Sequence, residues 1–366
     1  MSLLKKIAKD NKFNASIQNV SDQKPTEFIS TRCYALNGIF SGNVFNGMPD
    51  DTIVALCGKS NSGKSLILAH IIKSALEKNY DVIIFDSERS VRKDYYEKIG
   101  CDPSRIFRVP VGSILEFRNV AYKIIEEYYA KATEKDRLFI GVDSLSNLAS
   151  EKELADCEKD KDASDQGNSA KLQNSAMRVL ASLANKYNFP CVFTNHVYAS
   201  IGDMYAQRDV IAGGAKAIYN SNIILYCERL INKEETEDAL GKTVKTDVGI
   251  RIKATTVKNR QFVENQTVYL DLRYDSGINI YSGLLQFAIR ANVIQNKPRG
   301  YLVTATDKTI FDRDLYTPEV FNQAALEKIN EWLGKNGYSS LSTIFSDEVA
   351  VALGEENGET QGKQRP

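Results

Sequence analysis

The run Gly58-Lys59-Ser60-Asn61-Ser62-Gly63-Lys64-Ser65 matches the pattern G-x-x-x-x-G-K-[ST] in full. Residues of these types at this spacing can cradle the phosphates of a nucleotide. The glycines let the backbone wrap closely, so that its N–H groups point at phosphate oxygens, and a following helix start adds a favourable dipole. Lys64 supplies a cation for the β- and γ-phosphates of ATP, and Ser65 supplies an oxygen for Mg²⁺. The apolar run Ile53–Cys57 precedes the motif and the helical run Leu66–Leu76 comes after it, which is the strand–loop–helix context that the motif requires.

Two acidic positions could complete such a site. The apolar run Leu138–Val142 ends in Asp143-Ser144. A carboxylate at the carboxyl edge of a neighbouring strand can hold Mg²⁺ through water, although many buried strands also end in Asp as a cap. Asp86-Ser87-Glu88 closes another apolar run, Val82–Phe85. A carboxylate there could orient and deprotonate an attacking water, or it could simply cap the next helix.

The elements that must position these residues can be read from the pattern. Apolar runs recur at Ile53–Cys57, Val82–Phe85, Ile106–Val109, Leu138–Val142, Cys191–Thr194, Ile223–Cys227, Ile250–Ala254 and Val268–Leu272. Helical patterns separate the earlier ones, with Leu172, Ala176, Val179 and Leu183 on one face. Fully apolar strands alternating with helices predict an α/β fold whose mostly parallel sheet is covered by helices on both faces. The last runs have no clear helices between them, so they predict antiparallel additions. Residues 1–30 read as an arm with a short amphipathic start, residues 318–335 as a helix, and residues 347–366 as a disordered tail.

Composition narrows the class. The 366 residues are 43% hydrophobic and 26% charged, which suits a globular domain with appendages. No apolar run reaches the ~18 residues needed to span a bilayer, so a cytoplasmic protein is expected. The six cysteines form no C-x-x-C pair and only two histidines exist, which argues against a zinc cluster. Cys57, Cys191 and Cys227 lie in apolar runs and read as buried reduced thiols. Lys plus Arg equals Asp plus Glu, 47 each. Any nucleic-acid site must therefore be a local basic strip.

Taken together and in order, these residues resemble the RecA-like recombinases, most closely the phage UvsX type, from about Ile29 to Leu285. The likeness runs through Ile29-Ser30-Thr31, the phosphate loop, Asp86-Ser87-Glu88 and Asp143-Ser144-Leu145-Ser146-Asn147-Leu148-Ala149-Ser150. It continues through Thr194-Asn195-His196, Gly213-Gly214, Val257-Lys258-Asn259-Arg260 and Gly277-Ile278-Asn279-Ile280-Tyr281-Ser282-Gly283. The resemblance implies a RecA-type P-loop NTPase core over residues 31–290, an oligomerisation arm over 1–30 and a small C-terminal region over 291–346.

It also implies roles. Glu88 becomes the general base toward water, and Tyr95 the residue that stacks on adenine. His196 becomes the sensor of the γ-phosphate. The nucleotide contacts come from the phosphate loop, Gly58 through Ser65, and from Leu66 after it. Lys258 and Arg260 become cations that reach the ATP of the neighbouring subunit; two cations two residues apart on a strand project to the same side. Residues 151–168 and 197–212 occupy the places of the two DNA-binding loops. The second holds Tyr198, Met204, Tyr205 and Arg208 ahead of Gly213, Gly214 and Lys216, and aromatic and basic residues can stack on or wedge between bases. The activity implied is ATP-driven strand exchange by a helical filament on single-stranded DNA that samples duplex DNA. A loading factor and a single-strand DNA-binding protein are implied only by the phage likeness. A hexameric helicase on the same core and a non-catalytic ATP-dependent scaffold are the rival readings.

Overall fold

Each apolar run found in the sequence forms a strand. The structure, a computed structural model, describes residues 27–158, 167–198, 210–211, 219–237, 243–273 and 277–336. The strands are β1 (Phe28–Ile29), β2 (Met48–Pro49), β3 (Ile53–Gly58), β4 (Asp81–Asp86), β5 (Ile106–Pro110), β6 (Leu138–Asp143), β7 (Cys191–Tyr198), β8 (Val210–Ile211), β9 (Ile223–Glu237), β10 (Thr243–Asn259), β11 (Thr267–Arg273), β12 (Gly277–Ile278), β13 (Ile294–Lys297), β14 (Gly300–Val303) and β15 (Lys308–Ile310). The helices are α1 (Tyr34–Ser41), α2 (Lys64–Glu77), α3 (Lys93–Ile99), α4 (Ile114–Lys131), α5 (Glu151–Glu158), α6 (Asn168–Tyr187), α7 (Leu285–Arg290) and α8 over residues 323–336.

The main sheet has the order β12-β11-β10-β9-β3-β7-β6-β4-β5. From β5 to β9 every pairing is parallel. The strands β10, β11 and β12 then add in antiparallel fashion, as the missing helices predicted. Alternate residues of β3 feed two cores. Val54 and Leu56 join α1, α2 and the C-terminal elements on one face. Ile53, Ala55 and Cys57 join α4 and α6 on the other. This is the two-faced burial that makes central parallel strands apolar throughout.

The helices meet the sheet through stripes of helical period. In α2 these are Ile67, Leu68, Ile71, Ile72 and Ala75. In α4 they are Ile114, Phe117, Ala121 and Ile125, behind a Ser113 cap whose hydroxyl accepts from the Glu116 amide at 3.1 Å. Phe117 packs edge-on against Phe85 of β4, with ring centroids 5.1 Å apart. Truncating a fully buried Phe of this kind costs about 3–5 kcal/mol. Cys57, Cys191 and Cys227 are buried free thiols, as expected.

The C-terminal part differs from the sequence reading in two ways. The helix begins at 323, because the Asn322 side chain accepts from the Ala325 amide at 3.0 Å and so caps it. Ahead of it lies a three-stranded antiparallel sheet, β13-β14-β15, that the sequence did not announce. Its strands are short and only Ile294 and Val303 in them are buried, so no apolar run marks them. Ile294, Val303, Phe321, Ile329 and Leu333 share one apolar cluster with Phe40 of α1 and Phe287 of α7.

One buried group inside this fold resists charge. Both ring nitrogens of His70, in α2, are buried without a hydrogen-bond partner. Burial first, then the cations Arg32 and Lys73, hold its pKa down to about 4. A histidine in an unfolded chain titrates near ~6.5. The unfolded chain therefore binds the proton that the folded chain refuses, and stability falls as pH drops from about 6.5 toward 4, by on the order of 3 kcal/mol. Urea unfolding of His70→Leu between about pH 7 and 5 should show a flatter pH dependence than the unaltered chain. An unchanged slope would mean that His70 titrates alike in the folded and unfolded chain.

Candidate functional site

The carboxyl ends of the parallel strands converge on one place. Register sets Gly58 of β3 beside His196 of β7, and Asp86 of β4 beside Asp143 of β6. Such an edge is where open α/β sheets bind ligands. A cavity of about 1140 Å³ opens there. It is bordered by Ser60, Asn61, Ser62, Gly63, Lys64, Ser65 and Leu66, and by Glu88, Tyr95, Asp143 and His196.

The phosphate loop has the geometry its sequence implies. A Cβ on Gly58 would lie 2.4 Å from the Cys227 carbonyl oxygen and 2.5 Å from Ser62 Oγ. Gly63 has φ +87°, and a Cβ there would meet Ile252 Cδ1 at 2.3 Å. Only glycine fits either position. Lys64 Nζ donates to the Gly58 and Lys59 carbonyls at 3.0 and 2.8 Å. Burial lowers the pKa of its ammonium. Ser62 Oγ is buried without a partner. A buried ammonium met by neutral carbonyls, an orphaned hydroxyl and a helix start together suit an anionic phosphate. Gly58 and Lys59 do not border the cavity themselves; they serve it through their carbonyls.

Asp143 is buried and solvated by hydroxyls. Its Oδ1 accepts from Ser65 Oγ at 3.2 Å and from Thr194 Oγ1 at 2.6 Å. Its Oδ2 accepts from Ser90 Oγ at 2.7 Å. The Asp143–Ser144 peptide is cis. A hydroxyl and a carboxylate in contact beside a phosphate loop are the donor set for a hard divalent cation such as Mg²⁺.

Glu88 faces the same space. Its Oε1 accepts from Ser144 Oγ at 2.6 Å and lies 2.9 Å from His196 Nε2. The His196 amide donates to Ser146 Oγ at 3.1 Å. The His196 contact first, and the Ser144 hydroxyl after it, hold the Glu88 carboxyl below its ordinary range, against burial that pushes it up. Tyr95, in α3, stands edge-on to Tyr96 with centroids 5.5 Å apart, and burial raises its hydroxyl pKa.

Other expected residues lie elsewhere. Lys258 and Arg260 do not border the cavity. Lys258 Nζ donates to the Tyr219 carbonyl at 2.6 Å and sits 5.8 Å from that ring's centroid. Only Lys258 belongs to β10, at a register shift after Thr256; Arg260 lies just beyond the strand. The buried Asn259 turns the chain between them, donating to the Ile39 and Phe40 carbonyls and accepting from the Gln261 and Phe262 amides. Strand alternation therefore does not hold the two cations to a common side. Tyr198 ends β7 and is exposed. Met204, Tyr205, Arg208, Gly213, Gly214 and Lys216 lie outside the described residues.

The first expected DNA loop, 151–168, opens as helix α5. Ser150 Oγ accepts from the Glu153 amide at 3.2 Å, and Glu153 Oε2 accepts from the Ser150 amide at 2.7 Å. This reciprocal capping box was present in Ser150-Glu151-Lys152-Glu153 and could have been read. Sequence reasoning also missed Ser90 and Arg108. Arg32, His70, Lys73 and Lys98 at the far end of the cavity went unread as well.

The pair His196–Glu88 carries a direct test. Removing the imidazole in His196→Ala should raise the Glu88 pKa toward the ordinary carboxylate value. A carboxyl-carbon NMR titration of glutamate-labelled chain, assigned with Glu88→Gln, would read it. An unmoved Glu88 titration would mean that the contact does not stabilise the carboxylate.

Comparison with known proteins agrees with this geometry. The family described as RecA N-terminal domain matches residues 2–279. The chain is 27% identical over 278 residues to the "Recombination and repair protein" of Enterobacteria phage T4, covering 75% of this chain and 66%, just under two thirds, of that protein. It is 24% identical over 249 residues to "Protein RecA" of Malacoplasma penetrans, covering 68% and 70%. It is 24% identical over 320 residues to "Protein RecA" of Campylobacter hominis, covering 85% of each. A family match across most of the chain, on a fold that brings the phosphate loop, Asp143 and Glu88 to one cavity, places the chain in the RecA family.

Proposed function

We propose that this chain is an ATP-dependent DNA recombinase. It assembles as a helical filament on single-stranded DNA, pairs that strand with homologous duplex DNA, and exchanges strands in recombination and repair. The observation that carries this reading is the convergence of Lys64, Ser65, Asp143 and Glu88 on one cavity in a chain of the RecA family.

In this reading the loop amides and Lys64 bind the ATP phosphates. Ser65 and Asp143 would hold Mg²⁺, which when bound draws charge from the phosphate oxygens. Glu88 orients the water and takes its proton. The His196 and Ser144 contacts favour its ionised form, which is the form a base needs. Tyr95 stacks on the adenine. His196 exchanges its Glu88 partner for the γ-phosphate and passes that change to residues 197–212. Lys258 and Arg260 close on the phosphates of the adjacent subunit, in the manner of an arginine finger. Tyr198, Met204, Tyr205, Arg208, Gly213, Gly214 and Lys216 face DNA, with residues near 151–168 alongside. Contact is to the backbone and to base faces, so binding is independent of sequence.

We assign residues 1–30 to the contact between subunits, 31–290 to the ATPase core, 291–346 to a small C-terminal region and 347–366 to a tail. A loading factor and a single-strand DNA-binding protein are the accessory partners that fit this activity. No helix among the described residues is long and apolar enough to cross a membrane.

Two measurements test the proposal. Electron microscopy with long single-stranded DNA, Mg²⁺ and a slowly hydrolysed ATP analogue should show continuous helical filaments; closed rings would favour a helicase. Lys64→Ala and the double variant Lys258→Ala/Arg260→Ala should each lose DNA-stimulated ATP turnover. Mixed together, they should regain part of it, because some mixed junctions join an intact phosphate loop to intact cations. Turnover retained by Lys64→Ala would sink the phosphate-loop assignment. A mixture as dead as its parts would remove the action in trans.

A further inference from the structure

We infer that Arg108 is a positioning residue for Glu88, acting through the buried carboxylate of Asp86. The inference rests on the reading of Glu88 as the group that activates water. The Asp86 side chain has no exposed area. Its Oδ2 accepts from Arg108 Nε at 2.5 Å. Its Oδ1 accepts from the amides of Glu88 and Ser90, at 3.1 and 3.2 Å. One carboxylate thus faces a cation on one side and, on the other, grips the backbone of the turn that carries Glu88.

The rest of that turn is fixed to the end of β6 and to Ser144. The Ser87 amide donates to the Asp143 carbonyl at 2.9 Å. Ser87 Oγ donates to the Ser144 carbonyl at 2.7 Å and accepts from the Ser144 amide at 2.9 Å. Ser90 Oγ donates to Asp143 Oδ2. Among the groups that accept from the turn's backbone amides, Asp86 is the one that does so with a carboxylate, and Arg108 is its ion-pair partner. Register explains the reach. Arg108 of β5 pairs with Ile84 of β4, so it shares a face with Asp86 and lies diagonal to it.

The asymmetry of the pair gives it consequence. Arg108 is partly exposed and reaches water on its own, whereas Asp86 is enclosed. A buried carboxylate stripped of its cation is strongly disfavoured. It relieves that state by rotating outward toward water, and this weakens the hold of Oδ1 on the amides of Glu88 and Ser90. The damage lands on the turn that presents Glu88, while both apolar cores stay intact. β5 is also the last strand of the sheet, so the residue that holds the turn stands at its open edge.

The test uses the full chain with ATP, Mg²⁺ and single-stranded DNA. Arg108→Gln should lower kcat by about ten-fold or more, because a small misplacement of a reacting group has effects of that order. KM for ATP should stay close to that of the unaltered chain, whereas the melting temperature should fall, because the enclosed carboxylate has lost its cation, and should recover in the Asp86→Asn double variant below. Arg108→Lys should restore most of kcat. Adding Asp86→Asn to Arg108→Gln should also restore it, since an amide keeps an acceptor for the turn and needs no cation. The chain has two histidines, so the imidazole NMR signal of His196 reports on Glu88 without any turnover. It should move in Arg108→Gln and return in the double variant. An unchanged kcat and an unmoved His196 signal in Arg108→Gln would overturn the inference, as would a double variant no better than the single one. If the unaltered chain turns over no ATP, the recombinase reading fails, and the His196 signal alone still decides whether Arg108 positions Glu88.

Discussion

Asp143 has to carry a negative charge at the end of an apolar strand, and it does so on hydroxyl groups. Ser65 and Thr194 meet Oδ1, and Ser90 meets Oδ2. Each comes from a different part of the site: the helix after the phosphate loop, the strand that carries His196, and the turn that carries Glu88. Hydroxyls stabilise the carboxylate without neutralising it, as an arginine would. The charge therefore remains available to a cation. Three parts of the machinery are aligned on one carboxylate, and a change at Asp143 would be felt in all of them.

Asp86, one strand away, solves the same problem in the opposite way. It is ion-paired to Arg108, so its charge is neutralised inside the protein. Its other oxygen binds backbone amides and shapes a turn. The two carboxylates are register partners on neighbouring strands, yet one is met by hydroxyls beside the cavity and the other is closed by an ion pair. The sequence shows both as acids that end apolar runs, and nothing in spacing alone separates them. What separates them is the set of residues opposite: a threonine and two serines for one, an arginine for the other.

The same contrast explains what could be read from the sequence. The parallel strands were legible because burial on both faces demands unbroken apolar runs, as in Ile53–Cys57 and Leu138–Val142. The phosphate loop was legible because glycine is forced at Gly58 and Gly63 by steric contacts of 2.4 and 2.3 Å to any added Cβ. The outer reaches of β9 and β10 were not: each continues well past its apolar run, to 15 and 17 residues, by pairing with its partner strand. Backbone pairing leaves no mark in side-chain polarity. Arg108 was invisible for a related reason. A charged residue in a short edge strand looks like ordinary solvent exposure until its buried partner is known. Strand alternation did not carry over to Arg260 because a buried asparagine, Asn259, ends the strand one residue too soon for the rule.

Net charge was the weakest guide, and the location of the cations shows why. Lys258 is bound to a backbone carbonyl and lies near an aromatic face. Burial first, and then the Arg260 charge, lower its pKa, and the Glu264 carboxylate offsets them only in part. An ammonium whose charge is opposed by burial and by a neighbouring cation gains from an anion brought beside it. On the proposed reading, that anion is the nucleotide of the next subunit. The formal balance of 47 charges of each sign says nothing of such local placement, which is why the sum was a poor guide.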